Sequence, residues 1–248
     1  MIYIIIGLIV GIIMGLTGAG GALISIPLFI NFLNTSLKEA TVLSLVAVVL
    51  GTAINLMGQL SRANKKIVIS FGLAGVLTNY FSLPLKAQIP DGLIAGILSI
   101  IGIYSIRSVW KKNKEPNTQE NKSMMIPKAL LAGSFVGLLT TLTGLGGGVI
   151  LIPILINFFG NSYDKALPTS LGTILIISLT SFILQSTTAF ELITFSQLSL
   201  MAAGSLVAFI LLKLIIRKVG DQKILLIRRI VFTAVTIYSI ISVIYKAI

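Results

Sequence analysis

The stretch Leu142-Thr143-Gly144-Leu145-Gly146-Gly147-Gly148 interrupts a long apolar segment, and an apolar run to Pro153 follows it. A second copy, Leu16-Thr17-Gly18-Ala19-Gly20-Gly21, lies 126 positions earlier and is followed by an apolar run to Pro27. When the sequence is shifted by 126, positions 7–45 align with 133–171 without a gap, and 18 of the 39 pairs are identical. Because shared apolar composition does not explain the matched Gly, Pro, Asn, Thr and Ser residues, the chain contains an internal duplication.

Each glycine cluster predicts a break in a helix. Several glycines within five residues make a continuous helix costly. Within a membrane, non-helical backbone is tolerated only where protein covers it or where it lines a cavity. Breaks at equivalent places in two halves of a chain are typical of the central site of a transporter.

The composition is that of a membrane protein. Of the 248 residues, 56% are hydrophobic and 10% are charged, and the mean hydropathy is +1.04. Several apolar runs approach or exceed the roughly 18–20 residues that cross a bilayer. We therefore predict an all-α polytopic membrane protein with a single transmembrane domain, 1–248, located in the cytoplasmic membrane. Repeat one covers 1–110, a cytoplasmic linker covers 111–125 and repeat two covers 126–248. Besides the glycine-broken segments, the predicted spans are 40–60, 67–85, 92–110, 166–187, 195–216 and 224–245.

The distribution of basic residues favours one topology. If each glycine-broken unit crosses the membrane once, Lys and Arg divide about evenly between the two sides. If each unit is a hairpin, Lys38, Lys86 and Lys246 lie on one side and the other sixteen basic residues lie on the other. The second division is the one expected from the positive-inside rule, which also explains the net charge of +12 without nucleic acid. Each repeat is therefore predicted to be a hairpin plus three transmembrane helices, and an odd number of crossings inverts the second repeat.

The predicted hairpin tips have the properties of an anion site. Each second half-helix begins at its glycine cluster, where unpaired N–H groups and the positive end of the helix dipole attract negative charge. All seven acidic residues lie in or near predicted connections, and this favours a neutral or anionic substrate. We expect this site to work without a fixed cationic side chain.

Uncharged polar residues complete the prediction. Several match across the two copies, including the pair Gln59 and Gln185. For each Ser or Thr, the alternative is a hydroxyl bonded to its own helix backbone. For the glycines, the alternative is close helix packing. The predicted substrate-binding residues are Thr17, Gly18, Gly20, Gly21, Ser44, Gln59, Thr143, Gly144, Gly146, Gly147, Gly148, Thr169, Ser170 and Gln185.

These residues resemble a known family. Gly144-Leu145-Gly146-Gly147-Gly148 with Pro153, followed by Ala166-Leu167-Pro168-Thr169-Ser170, is similar to the pattern of the TauE/SafE family of sulfite-exporter-like membrane proteins, and the likeness extends through both halves. In the first copy, Ala22 stands where a third glycine is expected. The resemblance implies transport of a small sulfur-containing anion, such as sulfite, sulfoacetate or a related organosulfonate, across the cytoplasmic membrane.

Other functions are less consistent with the sequence. The glycine clusters lack the preceding strand and the Lys-Ser/Thr pair of nucleotide-binding loops. The chain has no Cys and no His, and no paired carboxylates are visible within the spans, so we predict no enzyme activity, no metal site and no cofactor. The expected partners are the anion and the lipid bilayer, without nucleic acid, and a homodimer is compatible with the small residues. An anion channel is the alternative to a transporter.

Overall fold

The computed structural model describes residues 1–17, 21–57, 59–110, 125–144, 147–161, 163–216 and 221–247. The regular structure in these ranges consists of α-helices and one short 3-10 helix at Leu60–Arg62. The predicted all-helical fold class is confirmed. In chain order the helices are α1 (Ile2–Thr17), α2 (Gly21–Leu33), α3 (Leu37–Leu56), α4 (Lys65–Gln88), α5 (Asp91–Trp110), α6 (Met125–Thr143), α7 (Gly148–Asn157), α8 (Tyr163–Leu184), α9 (Ser186–Leu192), α10 (Phe195–Ile216) and α11 (Asp221–Ala247).

Local sequence signals set several of these boundaries. A capping box starts α3, because the Glu39 N–H donates to the Ser36 hydroxyl and the Ser36 N–H donates to the Glu39 carboxylate. Asn64 caps α4 through its side-chain oxygen. The first glycine-broken segment ends its first helix at Thr17, and the second ends its first helix at Thr143, as the repeat predicted.

Seven of the helices in the described ranges are long and apolar enough to cross a membrane, namely α3, α4, α5, α6, α8, α10 and α11. The chain is therefore a multi-pass membrane protein. Within its apolar window, α3 is 78% buried, whereas the window of α11 is only 22% buried. The third helix of each predicted repeat, α3 or α8, thus lies at the centre of the bundle. With the short α9 left out of the count, the fourth helices, α4 and α10, and the fifth helices, α5 and α11, face outward.

Glycine faces join the two repeats. The most extensive helix contacts are those of α4 with α6 and of α1 with α10, and each pair combines the first helix of one repeat with the fourth helix of the other. Gly7, Gly11 and Gly15 lie against α10. A Cβ on Gly133 would lie 2.6 Å from the Phe71 carbonyl oxygen, and a Cβ on Gly137 would lie 2.5 Å from that of Gly75. Helix packing, the alternative named for such glycines, accounts for these positions.

The order of the contacts gives the helix directions. Positions 71, 75 and 79 of α4 lie against 133, 137 and 141 of α6, so the two helices run in the same direction. Positions 68, 72 and 86 of α4 lie against 172, 176 and 185 of the α8 region, so α8 also runs with α4. Because α6 and α8 run in the same direction, the chain must return between them through α7.

The first repeat has the equivalent order. Contacts of 7 with 201, 11 with 205 and 15 with 212 show that α1 and α10 run in the same direction. Gly51 lies against Val10 and Met14, and Asn55 lies against Gly15, so α3 runs with α1. Inversion of the two repeats across the membrane stays a prediction, and these directions agree with it. The division at 111–125 also stays a prediction, since positions 111–124 are outside the described residues.

The tight α4–α6 contact predicts the effect of one methyl group. We expect Gly137→Ala to destabilise the protein by about 1–3 kcal/mol, because the added Cβ meets the backbone of α4 rather than a movable side chain. Thermal unfolding of the purified protein in detergent measures this effect. Gly96→Ala is the matched control, since Gly96 is a helical glycine with nothing within 4 Å of an added Cβ. Equal melting temperatures for the two variants would contradict the packing.

Candidate functional site

The tip of the second glycine-broken unit is held by the central helix of the other repeat. Gly144 follows the last residue of α6 with φ +69°, and Gly147 precedes α7 with φ +68°, a backbone region that favours glycine. The buried Ser44 hydroxyl of α3 lies 2.8 Å from the Gly144 carbonyl oxygen and 2.8 Å from the Thr41 carbonyl oxygen, and its single proton serves one at a time. Ser44 thus satisfies a carbonyl at the point where the helix is broken.

The helix that starts at this tip has no side-chain cap. Gly147 is the N-cap residue of α7 and makes no side-chain hydrogen bond, while Gly148 is the first helical residue and is buried. The start of α7 therefore presents its backbone and the positive end of its dipole. Three predicted site residues of the two clusters, Gly18, Gly20 and Gly146, lie outside the described residues.

The threonines that precede the clusters bond to their own helices. The Thr17 hydroxyl donates to the Ile13 carbonyl oxygen at 2.7 Å, and the Thr143 hydroxyl donates to that of Leu139 at 2.6 Å. Both side chains are buried. Both protons therefore go to the backbone of the same helix, which is the alternative given above for these hydroxyls. The two hydroxyl oxygens lie in the interior and can also accept hydrogen bonds. Gly21 starts α2, and a Cβ there would lie 3.0 Å from the Met14 sulfur.

Ser170 and Thr169 differ in their contacts. The Thr169 hydroxyl donates to the Lys165 carbonyl oxygen and accepts from the Asn64 N–H at 2.9 Å, so it joins α8 to the start of α4. The Ser170 hydroxyl is buried and has no hydrogen-bond partner among the described residues. In the repeat, Ser170 is equivalent to Ser44, the residue that bonds the hairpin of the other repeat at Gly144.

The matched glutamines lie at helix ends. Gln59 directly precedes the 3-10 helix, is half-buried and donates to the Asn55 carbonyl oxygen at 3.2 Å. Gln185 lies between α8 and α9, is buried and accepts a 2.6 Å hydrogen bond from the Lys86 ammonium. The two positions therefore have different electrostatic surroundings, although they match in the sequence.

One cavity lies between the end of α1, which precedes the first glycine cluster, and α7, the second half-helix of repeat two. The cavity has a volume of about 40 Å³ and lies where the end of α1 meets the first turns of α7 and one face of α11. Its walls include Thr17 and the half-buried side chains of Arg228 and Arg229. The other wall residues are Val109, Val149, Ile152, Pro153 and Phe232. The two arginines were counted in the sequence as topology markers, and their position here is contrary to the expectation of a site without fixed cations.

Two further cavities continue from this one. A cavity of about 50 Å³ shares Arg229 and Pro153 with the first and reaches Ser108 and Asn157. A wider cavity of about 570 Å³ shares Ser108 and Asn157 with the second and is also lined by Arg107. The three cavities share wall residues in sequence, and we call this row beside the ends of α5 and α7, with Arg107, Arg228 and Arg229 in its walls, the path.

One of the arginines is positioned by the last residue of α5. The Arg229 guanidinium lies over the Trp110 ring, with 6.0 Å from Cζ to the ring centroid. The Trp110 indole N–H donates to the Thr233 hydroxyl at 2.8 Å. A ring fixed in this way holds the guanidinium by a cation–π contact at the mouth of the path.

Comparisons with known proteins identify a family and a relative. The family model described as sulfite exporter TauE/SafE matches residues 3–242. A protein of Methanocaldococcus jannaschii named as a probable membrane transporter protein is 28% identical over 161 residues, which are 61% of this chain and 60% of the relative. The chain thus matches about three fifths of that relative's length. No solved structure matches the chain at a significant level.

The contact between Ser44 and the second hairpin predicts a position-specific effect. In Gly144→Ala, the left-handed backbone costs about 1–2 kcal/mol, and the new Cβ also meets the Thr41 carbonyl oxygen and lies 2.6 Å from the Ser44 hydroxyl oxygen. We expect this variant to lose about 1–3 kcal/mol more than Gly160→Ala, which has φ +57° outside the hairpin tip. Thermal unfolding in detergent compares them. Equal losses would show that α3 does not constrain the tip.

Proposed function

The chain belongs to the sulfite exporter TauE/SafE family, and from this premise we propose that it transports a small anion, most specifically sulfite or an organosulfonate such as sulfoacetate, across the cytoplasmic membrane. Membership in a family of membrane transporters is also the reason to assign transport rather than catalysis. The relative from Methanocaldococcus jannaschii carries only a general description as a probable membrane transporter protein. The nature of the substrate therefore has to be argued from the side chains.

The observation that carries the proposal is the cavity with two guanidinium groups at a hairpin tip. Arg228 and Arg229 lie beside Thr17 and the first turn of α7. Charged side chains inside a membrane domain are costly and are typical of substrate or ion pathways. Cations in this position favour an anion and would repel a metal ion or an ammonium substrate.

The geometry of sulfur oxyanions suits these groups. Sulfite and sulfonates present a compact cluster of oxygens, and a planar guanidinium binds two such oxygens with parallel N–H bonds. The backbone N–H groups of the glycine clusters supply additional polar contacts without further charge, and Thr17 contributes when its hydroxyl proton turns from the Ile13 carbonyl oxygen to the anion. We therefore assign anion contacts to Thr17, Thr143, Gly21, Gly144, Gly147 and Gly148, and to Gly18, Gly20 and Gly146 by sequence.

The remaining predicted residues contribute differently in this proposal. Ser44 supports the second hairpin tip, Thr169 joins helices, and Ser170 is supported here only as the position equivalent to Ser44. Gln185 belongs to a separate polar cluster with Lys86. For Gln59, which is half-buried outside the helix, we keep only the sequence match as support.

The test is uptake by proteoliposomes supplied with sulfite, sulfoacetate, thiosulfate or sulfate. We expect uptake of at least one of these anions, and Arg228→Gln or Arg229→Gln should reduce the rate about tenfold or more, because a charge-assisted contact to the anion is lost. Arg229→Lys should recover only part of the rate, since an ammonium cannot form two parallel bonds and stacks less well on Trp110.

Arg62→Gln is the control, because Arg62 is an exposed basic residue of the short 3-10 helix. This variant should transport at the native rate. Native rates in folded Arg228→Gln and Arg229→Gln proteins would contradict the assignment of the cavity. Flux far above the rates of carriers, with single-channel conductance, would instead identify the alternative function of an anion channel.

A further inference from the structure

A second polar cluster lies between α4 and α8. We call it the α4–α8 seam and define it as Asn79, Ser82 and Lys86 of α4 with Ser178, Ser181 and Gln185 at the end of α8. The spacing of each set places its three members on one helix face. The six side chains are between 0% and 7% exposed, within two helices that are apolar enough to cross a membrane. A continuous buried polar seam of this kind is unusual in a membrane domain and points to function.

Hydrogen bonds show that the two faces meet. The Asn79 amide donates to the Ile177 carbonyl oxygen at 2.9 Å and accepts from the Thr141 hydroxyl at 2.7 Å. At the other end of the seam, the Lys86 ammonium donates to Gln185 Oε1 at 2.6 Å, and Gln185 Nε2 donates to the Ser181 carbonyl oxygen. The side chain of Lys86 is thus fixed toward α8 rather than extended to the surface.

The seam has more donors than acceptors. The Ser178 and Ser181 hydroxyls are buried and have no hydrogen-bond partner among the described residues. Lys86 carries three N–H donors, and its contact in the described part of the chain is a neutral amide oxygen. The charged group that acts on Lys86 is another cation, Lys38 of α3. Within the described ranges, this buried ammonium near a second cation and two free hydroxyls has no negative partner.

We propose that the α4–α8 seam is a second anion-binding station, in which Lys86 and the hydroxyls of Ser178 and Ser181 contact the same small oxyanion that the Arg228–Arg229 cavity takes. This inference rests on the proposed function for the identity of the ligand, and it names a site that is distinct from that cavity. Gln185 positions the Lys86 ammonium, and Asn79 joins the seam to α6.

The two stations lie at opposite ends of the bundle. Lys86 lies five residues before Asp91, where α5 starts, whereas Arg229 packs on Trp110, where α5 ends. A helix of 20 residues is about 30 Å long. An anion that crosses the protein therefore meets the seam at one end and the arginine cavity at the other.

The equivalent seam of the other repeat is polar on one side only. At the shift of 126, Thr52, Asn55 and Gln59 correspond to Ser178, Ser181 and Gln185, whereas the α10 side is apolar. Phe71 of α4 contacts Gly133, and Met201 of α10 contacts Gly7, which is equivalent to Gly133. Phe71 and Met201 are therefore equivalent, so a shift of 130 residues relates α4 to α10. At this shift, the positions equivalent to Asn79, Ser82 and Lys86 are Phe209, Leu212 and Ile216.

The Thr52 and Asn55 side chains also bond to the backbone of α3, whereas the Ser178 and Ser181 hydroxyls have no partner among the described residues. The free hydroxyls and the buried cation are thus features of one end of the molecule.

Transport kinetics from each side of the membrane test the proposal. In proteoliposomes of known orientation, Lys86→Gln should raise the half-saturating sulfite concentration about tenfold or more on the side where α4 ends, and leave the opposite side unchanged. Ser178→Ala and Ser181→Ala should each raise it several-fold on that same side. These two variants should keep the native melting temperature, because each removes a hydroxyl that has no internal partner.

Two controls accompany this experiment. Lys246→Gln removes an exposed cation near the start of α3, where it lies 3.5 Å from the Asn34 side-chain oxygen, and should have no effect. Lys86→Arg keeps the charge and should retain most of the affinity. Native half-saturation of the three seam variants from both sides, or an equal change on both sides, would overturn the station and leave the seam as helix packing.

A binding measurement separates this inference from the proposed function. If the native protein transports none of the four anions, the seam can still be tested by binding. The measurement is the rise in melting temperature of the purified protein when sulfite is added. Loss of this thermal stabilisation in Ser181→Ala and Lys86→Gln, but not in Lys246→Gln, would support the station. The same stabilisation in all variants, or none in the native protein, would overturn it.

Discussion

The structure depends on one constraint, namely that backbone N–H and C=O groups cannot remain unpaired in hydrocarbon. The two glycine clusters break helices within the membrane domain, so protein must cover both breaks. At the second cluster, the Ser44 hydroxyl approaches the Gly144 carbonyl oxygen from α3, the helix whose apolar window is the most buried of the seven. The central position of α3 agrees with this requirement, because it makes Ser44 available to the hairpin of the other repeat.

Close helix packing is the second consequence. The first helix of each hairpin, α1 or α6, has to be held in place. The fourth helix of the other repeat, α10 or α4, holds it through glycine faces. Gly133 and Gly137 bring α6 so near α4 that a methyl group would meet backbone atoms. The tightest contacts thus run between the repeats, while each hairpin also packs on the central helix of its own repeat.

Much of this fold was predictable, because glycine breaks, apolar length and the shift of 126 residues are properties of the sequence. The orientation of individual basic side chains was not. The span predicted at 67–85 left Lys86 in a turn, but α4 continues to Gln88, and the additional turn brings Lys86 onto Gln185 inside the protein. Arg228 and Arg229 were counted correctly as basic residues near a helix end, but a count by segment does not show that they face α7. The helix α9 after Gln185 also changes the shift between the fourth helices to 130, so the gapless alignment could not compare them.

The departures from symmetry are more informative about function than the symmetry itself. Asn157 of α7 and Asn31 of α2 are equivalent in the repeat, and they bond Ser108 of α5 and Tyr238 of α11 respectively. Ser108 and Tyr238 are therefore equivalent, so the same shift of 130 relates α5 to α11. At this shift, Leu98 and Ser99 stand where α11 has Arg228 and Arg229. A duplicated fold needs only equivalent packing in its two halves, and packing alone gives no reason for a buried Lys in one seam and two Arg beside one hairpin. Because Lys86 lies at one end of α5 and the two arginines at the other, the charges that packing does not require are divided between the two ends of the bundle.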